Sequence, residues 1–359
     1  EAVCRVADQA EVVGDALGPD PELLPHALDA AAHALAAIQL EDLPADALAA
    51  YLETHVDGFH GPLTATKFKG GQSNPTYRID AASGTYVLRR KPPGQLLPSA
   101  HAVDREFRVL GALHGTAVPV ARPLHLCSDQ SVIGSMFYVM GFVDGRIFWD
   151  PSLPDMDVTG RGDIYTGIIY AMAALHSIDP VAVGLGDYGK PGSYFERQTK
   201  RWSEQYRASE TRPIAAMDSL IDALPARCPA DDGVVALAHG DFRIDNLMFH
   251  PEEPRVIAIV DWELSTLGHP LADLGYFCMA LRLPRNPALP GLAGLDRTAL
   301  GIPDEAALLA RYSQVTGRPI PADWPFVLAF SFFRLAAIAQ GVAKRAEQGN
   351  ASSEQAMQA

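Results

Sequence analysis

The segments HGDFRIDN (239–246) and DWE (261–263) decide how the fold of this chain is interpreted. Two short β-type runs joined by a turn-forming segment lie between them. If Asn246 opens the first strand of this hairpin and Asp261 closes the second, antiparallel pairing brings their side chains together. Asp241 lies in the loop before the hairpin, so it shares the site without being forced to bind the same metal ion.

The residue types at this point suit phosphoryl transfer. Mg²⁺ prefers a few carboxylate or amide oxygens and completes its coordination with phosphate and water. Phosphoryl transfer depends mainly on positioning and on neutralising the charge that develops in the transition state. An HGD triplet alone is weak evidence, because an ordinary turn would explain it. The full set favours a catalytic site in which Asn246 and Asp261 hold Mg²⁺.

The composition limits the class of protein. The chain has 359 residues, of which 48% are hydrophobic and 20% charged, as is ordinary for a globular protein with two lobes. Its formal net charge of −14 argues against a nucleic-acid-binding protein, which needs a basic surface. Four scattered cysteines without metal-binding spacing predict buried thiols in a reducing compartment, so we expect a cytoplasmic location. The apolar stretch 326–342 contains Arg334 and Gln340, and we therefore expect a core helix and no membrane span.

Patterns of strands and helices divide the chain into three parts. Residues 1–44 are Ala-rich and are predicted to form a helical appendage. Residues 45–143 are predicted to form a small lobe with an antiparallel meander and one helix around 100–114. Residues 144–359 are predicted to form a larger, helical lobe that contains the hairpin. Its helices are expected at 164–177, 194–206, 214–224, 305–316 and 324–347. The expected fold class is therefore α+β.

Several longer motifs resemble those of one known family. The pattern H-G-D-x-x-x-x-N, followed after roughly fifteen residues by a strand that ends in Asp, resembles the catalytic and metal-binding loops of the aminoglycoside phosphotransferase-like family, relatives of protein kinases. Four stretches are more specifically similar to the kinase-like domain fused to some acyl-CoA dehydrogenases. They are GGQSNPTY (70–77), LLPSAHAVDRE (96–106), HGDFRIDNLMFHPEEPRV (239–256) and DWELSTLGHPLADL (261–274). The resemblance implies a protein-kinase-like two-lobe fold.

The resemblance also implies roles for residues of the large lobe. Asp241 matches the catalytic aspartate that orients the acceptor hydroxyl and takes its proton. Asn246 and Asp261 match the Mg²⁺ ligands, and Asp273 matches an aspartate that braces the catalytic loop. His239 is expected to anchor this loop and not to act as an acid or base.

In the small lobe, the resemblance implies a site for ATP. The hinge at 138–143 is expected to bind adenine through its backbone, with Gly141 and Val143 among the contacts. The loop between the first two strands is expected to meet the phosphates, although a simple hairpin turn would also explain its glycines. The residues expected to make these phosphate contacts are Gly70, Gly71, Ser73 and Asn74.

The third strand departs from the protein-kinase pattern. Arg89 stands where protein kinases carry a lysine, and its guanidinium can make bidentate contacts with phosphate. Glu106 on the following helix is the expected ion-pair partner, and Asp104 is a weaker candidate. Two further questions stay open. Glu263 is either an additional metal ligand or a solvated side chain, and Arg243 either contacts substrate or pairs with neighbouring Asp245.

The sequence therefore predicts an ATP- and Mg²⁺-dependent phosphotransferase that acts on a hydroxyl of a small molecule. Because of the resemblance to domains fused to acyl-CoA dehydrogenases, we expect a functional link to those enzymes. The first acceptor expected is a hydroxylated acyl compound or its CoA ester, and an aminoglycoside or a choline-like amino alcohol is the next. A nucleotide-binding pseudo-kinase that regulates a partner and a metal-dependent hydrolase are the alternatives. No nucleic-acid or membrane partner is expected.

Overall fold

The computed structural model describes residues 43–68, 74–92, 102–286 and 289–347. Nearly all of the expected appendage 1–44 lies outside the described residues, and so do Gly70, Gly71 and Ser73. The described parts form an antiparallel sheet followed by a helical lobe with small β-elements. This is the two-lobe α+β architecture that the sequence predicts.

The small lobe is built on a five-stranded antiparallel sheet in the order β1-β2-β3-β5-β4. Its strands are β1 Leu63–Lys67, β2 Thr76–Ala81, β3 Gly84–Arg90, β4 Pro123–Cys127 and β5 Phe137–Gly141. Successive side chains point to opposite faces of a strand. One face carries Ile79, Leu88 and Val139, which are fully buried. Arg89 and Tyr138 are paired across the sheet on the other face.

One helix lies on each side of this sheet. Helix α1 (Ala45–His55) buries Leu48 and Leu52, which are one turn apart, in the core of the first face. The sequence interpretation did not include α1, although the spacing of these two leucines is its signal. Helix α2 (Val103–Leu113) confirms the helix expected around 100–114 and buries Glu106 on the same side as its apolar residues.

The large lobe is mainly helical. Its helices within the described residues are α3 Val158–His176, α4 Tyr194–Ser209, α5 Ala215–Ala226, α6 Leu271–Met279, α7 Arg297–Leu300, α8 Glu305–Thr316 and α9 Trp324–Glu347. Five of them, α3, α4, α5, α8 and α9, correspond to expected helices. Helix α3 begins earlier than expected because the Asp157 carboxylate caps it by accepting a hydrogen bond from the Gly160 N–H.

Helix α6 was not expected from the sequence. Its residues LADLGYFCM are apolar on nearly every side, so no 3.6-residue alternation marks it, and all nine are buried. Gly275 allows close packing on α9, since an added Cβ would lie 2.6 Å from Cγ1 of Val327. A helix surrounded by protein on all sides gives no amphipathic signal.

Helix α9 is the one helix of the described residues that is long and apolar enough to cross a membrane. It contacts α4 and α6, and 61% of its apolar window is buried within the protein. Arg334 is buried in it, with the guanidinium carbon 5.3 Å from the ring centroid of Trp202 and 5.0 Å from that of Tyr276. These contacts are those of a core helix, as the interior Arg334 and Gln340 predict.

Short strands of the large lobe flank the two loops that contain residues 239–246 and 261–263. A three-stranded antiparallel sheet has the order β6-β8-β9, and a separate pair joins β7 to β10. These strands are β6 Arg146–Ile147, β7 Ala236–Ala238, β8 Leu247–Phe249, β9 Val256–Ile259 and β10 Thr266–Gly268, followed by the pair β11 Arg285–Asn286 and β12 Leu289–Pro290. The hairpin β8–β9 is the one expected between the two motifs. Strand β6, which follows the junction between the lobes, pairs with β8 of this hairpin.

Candidate active site

The catalytic loop begins directly after β7 with His239 and Gly240. The buried His239 ring donates from Nε2 to the Val260 carbonyl at 2.9 Å and accepts at Nδ1 from the Asp241 N–H at 3.2 Å. Its ring centroid lies 4.8 Å from that of Trp262. Both ring nitrogens are therefore engaged within the protein, in agreement with an anchoring role for His239.

Asp273 on α6 holds the backbone of this loop. Its carboxylate accepts from the N–H groups of His239 at 2.7 Å and Gly240 at 2.8 Å. It also bonds to Nε2 of His176 at 3.2 Å, and Nδ1 of His176 accepts from the Tyr312 hydroxyl at 2.9 Å. Burial raises the pKa of Asp273, but the bonds and charges of His176, His239 and Gly240 outweigh it, so the net pKa lies below its ordinary value. Asp273 is thus an ionised brace.

The Asn246 side chain is oriented by Asp241. Its Nδ2 donates to the Asp241 backbone carbonyl at 2.8 Å and to the Asp241 carboxylate at 3.0 Å. With Nδ2 committed in this way, the amide Oδ1 is the atom left to accept a bond or bind a cation. The carboxylate of Asp241 keeps one oxygen that this contact does not use.

The hairpin places Asp261 one residue beyond the position opposite Asn246, where the sequence predicted the two residues side by side. Leu247 pairs with Ile259, and the Val260 N–H donates to the Asn246 carbonyl at 3.0 Å. Asn246 is therefore opposite Val260, and Asp261 follows by one residue. Asp261 has φ 65° and ψ 61°, a left-handed conformation that non-glycine residues seldom adopt and that often marks functional sites.

Arg89, on β3 of the small lobe, contacts Asp261 of the large lobe. Its Nη2 donates to Oδ1 of Asp261 at 2.6 Å and lies 3.8 Å from the Glu263 carboxylate. Its Nε is 3.0 Å from Oε2 of Glu106, but the N–H does not point at that oxygen, so this contact is an ion pair without a hydrogen bond. Burial lowers the pKa of Arg89, but the negative charges of Glu106 and Asp261 have the larger effect, so the net pKa of Arg89 is raised. The expected pair with Glu106 is present, and Asp104 instead contacts Lys91 at 3.6 Å.

Glu106 is fixed by two further neighbours. Nδ2 of Asn74 donates to its Oε1 at 2.7 Å, and the Tyr138 hydroxyl donates to its Oε2 at 3.2 Å. Burial raises the pKa of Glu106, and Arg89 offsets part of that rise. Asn74 is fully buried in this contact, which differs from the phosphate contact expected for it. The physical reason is that its amide satisfies a buried carboxylate.

The expected adenine contacts lie at the end of β5. The Gly141 N–H donates to the Arg122 carbonyl at 2.8 Å, so it is not available to a base. The Phe142 N–H lies 3.4 Å from the Thr85 carbonyl, and Val143 follows in the connection to β6. The roles of Gly141 and Val143 stay predictions.

A small hollow of about 40 Å³ lies beside the catalytic loop. Its lining is mostly apolar and includes Trp149, Tyr276 and Leu335. The Trp149 side chain is 68% exposed. Two alternatives were left open for Arg243, a contact with substrate or an ion pair with Asp245. The structure shows the ion pair, in which Nε of Arg243 donates to Oδ1 of Asp245 at 3.0 Å. The hollow therefore contains a neutralised ion pair.

The donor set at the hairpin fits Mg²⁺. Oδ1 of Asn246 and the Asp261 carboxylate are hard oxygen ligands, and Mg²⁺ needs few protein ligands when phosphates and waters complete its shell. The described residues contain no cluster of three or more His, Cys, Asp or Glu side chains that would hold a metal ion without such help. A metal shared with a nucleotide is what this arrangement suits.

Sequence reasoning missed His176 and Tyr312 as parts of the site, and it included Tyr138 only through its backbone, without the hydrogen bond from its hydroxyl to Glu106. His176 and Tyr312 are 136 residues apart and carry no local motif. Tyr138 lies directly across from Arg89 in the sheet register, which was the available signal. Trp149 was missed as well, since an aromatic residue after the lobe junction has no pattern of its own.

An antiparallel sheet over a helical lobe, with Asp241, Asn246 and Asp261 where the two lobes meet, defines a kinase-like class of fold. The chain belongs to the phosphotransferase enzyme family, whose APH model matches residues 64–324.

Named relatives agree with this assignment. The chain is 48% identical over 319 residues to acyl-CoA dehydrogenase family member 10 of Mus musculus, covering 88% of this chain and 30% of that protein. A crystal structure from Ralstonia eutropha JMP134, provisionally named an aminoglycoside phosphotransferase, is 54% identical with a TM-score of 0.79 and covers 87% of this chain and 92% of that one. The aminoglycoside phosphotransferase APH(4)-Ia, solved in complex with ADP and hygromycin B, shares the fold at 14% identity and TM-score 0.54, covering 84% and 91%. The chain spans 30 to 40% of the length of the curated relatives it matches.

Proposed function

We propose that this chain transfers the γ-phosphoryl group of ATP to a hydroxyl group of a small molecule. The observation that carries the proposal is the convergence of Arg89, Asp241, Asn246 and Asp261 from two lobes on one point. Family membership supports the reaction class. The complex of APH(4)-Ia with ADP supports an adenine nucleotide as the donor.

Asp241 acts on the acceptor. Asn246 engages one carboxylate oxygen of Asp241. The other orients the acceptor hydroxyl and takes its proton as the new P–O bond forms, while the bond from the γ-phosphorus to the bridging oxygen breaks and ADP leaves. Tyr276 lies against Asp241, and burial followed by the Asp241 charge raises the pKa of its phenol, which stays protonated and able to donate to the carboxylate. The brace at Asp273 keeps the loop in place during this transfer.

Asn246 and Asp261 are the residues that would hold Mg²⁺, which supplies charge neutralisation on the phosphates when bound. The Arg89 guanidinium contacts the carboxylates of Asp261 and Glu106. When phosphates arrive, its guanidinium has donors to share with them, because a planar fork can bond to more than one oxygen at once. Glu106 keeps Arg89 aimed at the site.

For the acceptor, we propose a hydroxylated acyl compound or its CoA ester. The apolar side chains beside the catalytic loop, among them exposed Trp149, support an acceptor that packs an aliphatic portion against them. The internal pair of Arg243 and Asp245 leaves little free charge there to select a polycation. Similarity to an acyl-CoA dehydrogenase family member supports a functional link with those enzymes. The scattered cysteines without metal-binding spacing support the proposal of a cytoplasmic location.

An aminoglycoside or choline-like acceptor is the second candidate. The fold shared with APH(4)-Ia, which was solved with hygromycin B, is the observation in its favour. A nucleotide-binding pseudo-kinase is less well supported, since a pure binder has no need of the oriented Asp241. A hydrolase would release phosphate without an acceptor.

The test is a screen of the purified chain with ATP, Mg²⁺ and three acceptor classes: hydroxy acids with their CoA esters, aminoglycosides, and amino alcohols. We expect a phosphorylated hydroxy acid or CoA ester, read by mass spectrometry. Trp149→Ala should raise KM for that acceptor several-fold and leave KM for ATP unchanged, while exposed Val181→Ala serves as control. Phosphorylation confined to aminoglycosides would favour the second candidate. Phosphate release that needs no acceptor would favour the hydrolase.

A further inference from the structure

A second cavity, of about 770 Å³, lies in the large lobe and includes none of the residues of the site described above. Pockets for small molecules have volumes of roughly 300 to 1,000 Å³. Its walls are the first part of α4, the end of α5, the segment 228–234 and the beginnings of α6 and α9. No step of the proposed reaction uses this cavity.

Hydrogen bonds fix the walls of this cavity to one another. The Asp231 carboxylate accepts from the N–H groups of Ser193 at 2.9 Å and Gly233 at 3.2 Å. The Asp232 carboxylate bonds to Nε2 of His269 at 3.3 Å. These contacts join the segment 228–234 to the start of α4 and to the residues that precede α6. The cavity is thus part of the folded structure.

The floor combines apolar surface with one unsatisfied polar group. Phe195, Leu271 and Val327 are buried apolar residues that line it. Thr199 also lines it and is 2% exposed, and its hydroxyl has no hydrogen-bond partner among the described residues. Buried hydroxyl groups are nearly always hydrogen-bonded in folded proteins. The floor therefore combines an apolar surface, against which the apolar part of a ligand can pack, with one hydroxyl group that lacks a hydrogen-bond partner.

The rim of the cavity is acidic. Glu196, Glu204 and Asp323 are exposed carboxylates that form no ion pair with another described residue. Lys200 is the one lysine or arginine among the lining residues. Burial, partly offset by Asp232, lowers the pKa of His269, so this ring is neutral at pH 7. The lining consequently carries excess negative charge.

We propose that this cavity binds an organic cation that consists of an ammonium group on an apolar body. The apolar body lies on Phe195, Leu271 and Val327, and the ammonium group is attracted by Glu196 and Glu204. An ammonium group is a hydrogen-bond donor, which suits the acidic rim and the unpartnered Thr199 hydroxyl of the lining. A carboxylate ligand of the same length meets repulsion at the rim, and a neutral alcohol gains no charge attraction.

The test uses octylammonium, octanoate and 1-octanol as probes, titrated calorimetrically into the full chain at pH 7 and low salt. We expect octylammonium to bind at least about tenfold more tightly than octanoate, and its affinity to fall as added salt screens the rim charges. Equal affinity for octylammonium and octanoate would overturn the proposal.

Variants locate the binding. Glu196→Gln with Glu204→Gln should weaken octylammonium binding about fivefold, since both carboxylates are exposed. Ile221→Trp, at a half-buried position of the lining, should weaken it further by occupying part of the cavity. Glu252→Gln, exposed in the β8–β9 turn, is the matched control and should bind as the parent does. Unchanged affinity in the double variant and in Ile221→Trp, or loss of binding in Trp149→Ala, would contradict this location.

Discussion

Arg89 is the side chain through which the small lobe contacts the catalytic point. It is mostly buried, with 11% of its side chain exposed, and lies between Glu106 and Asp261. A lysine at this position is a single compact charge and cannot reach both carboxylates with a planar fork. The arginine is therefore the residue type that this geometry requires.

Replacing Arg89 tests that requirement. Arg89→Lys should raise KM for ATP about tenfold, because bidentate charge-assisted bonds are lost, and should lower kcat less. Steady-state kinetics and ADP titration measure the two effects. Lys91→Met removes a nearby, more exposed charge and should stay within about twofold of the parent. Unchanged KM for ATP in Arg89→Lys would show that this side chain does not contact the nucleotide.

Asp273 gives a prediction on pH dependence. Its folded-state pKa lies below the ordinary value of about 3.9, so its contribution to stability is present above that pH and is lost as pH falls through the folded-state pKa. Asp273→Asn should lower the free energy of unfolding at pH 7 by about 2 to 4 kcal/mol, because buried N–H groups lose an ionised acceptor. The rise in stability from about pH 3 to 5 should be flatter in this variant. Urea unfolding at several pH values measures both effects.

Exposed Asp155→Asn is the control for this experiment and should leave the pH profile as it is. A parent-like pH profile in Asp273→Asn would contradict the assignment of Asp273 as an ionised brace.

The catalytic loop depends on its backbone as much as on its side chains. Gly240 has φ +84°, and a Cβ added there would lie 2.5 Å from the Leu264 carbonyl oxygen. Gly115 has the same φ of +84° and nothing within 4 Å of such a Cβ. Substitutions at the two glycines can therefore be compared: both introduce the strain of a left-handed backbone conformation, but only the one at Gly240 also introduces a steric clash.

Alanine at each glycine tests this separation. Gly115→Ala should cost about 1 to 2 kcal/mol of stability and keep full kcat. Gly240→Ala should cost more and reduce kcat about a hundredfold, because the loop must move away from Leu264 and carry Asp241 with it. Thermal unfolding and steady-state kinetics on the same preparations decide the matter. Equal kcat in the two variants would mean that the loop tolerates displacement.

The hairpin shows which elements a sequence can predict. The turn between two short β-type runs predicted Asn246 beside Asp261, and in the structure Asn246 lies opposite Val260, one residue before Asp261. Helix α6 gave no such signal, because it is buried on every side. The link from Asp273 through His176 to Tyr312 joins three helices that are distant in sequence, and only the packed fold brings them together.

In the whole molecule, the site exists only where the two lobes meet. Arg89 and Asp261 are 172 residues apart and belong to different lobes. The residue types at these positions were predictable from motifs and register. The direct contact between Arg89 and Asp261 was not predictable. It depends on the position of the sheet relative to the large lobe, which is set where α2 packs against the turn Trp262–Leu264.

The central claim is that Asp241 assists transfer of phosphate from ATP to a hydroxyl group. The direct measurement is ³¹P NMR of phosphate ester formed by the parent and by Asp241→Asn, with ATP, Mg²⁺ and the acceptor from the screen. We predict ester from the parent and at least about a thousandfold less from the variant, while its affinity for a non-hydrolysable ATP analogue stays within a few-fold. Equal ester formation in both proteins would contradict the account, and so would tight nucleotide binding by the parent without transfer to any acceptor.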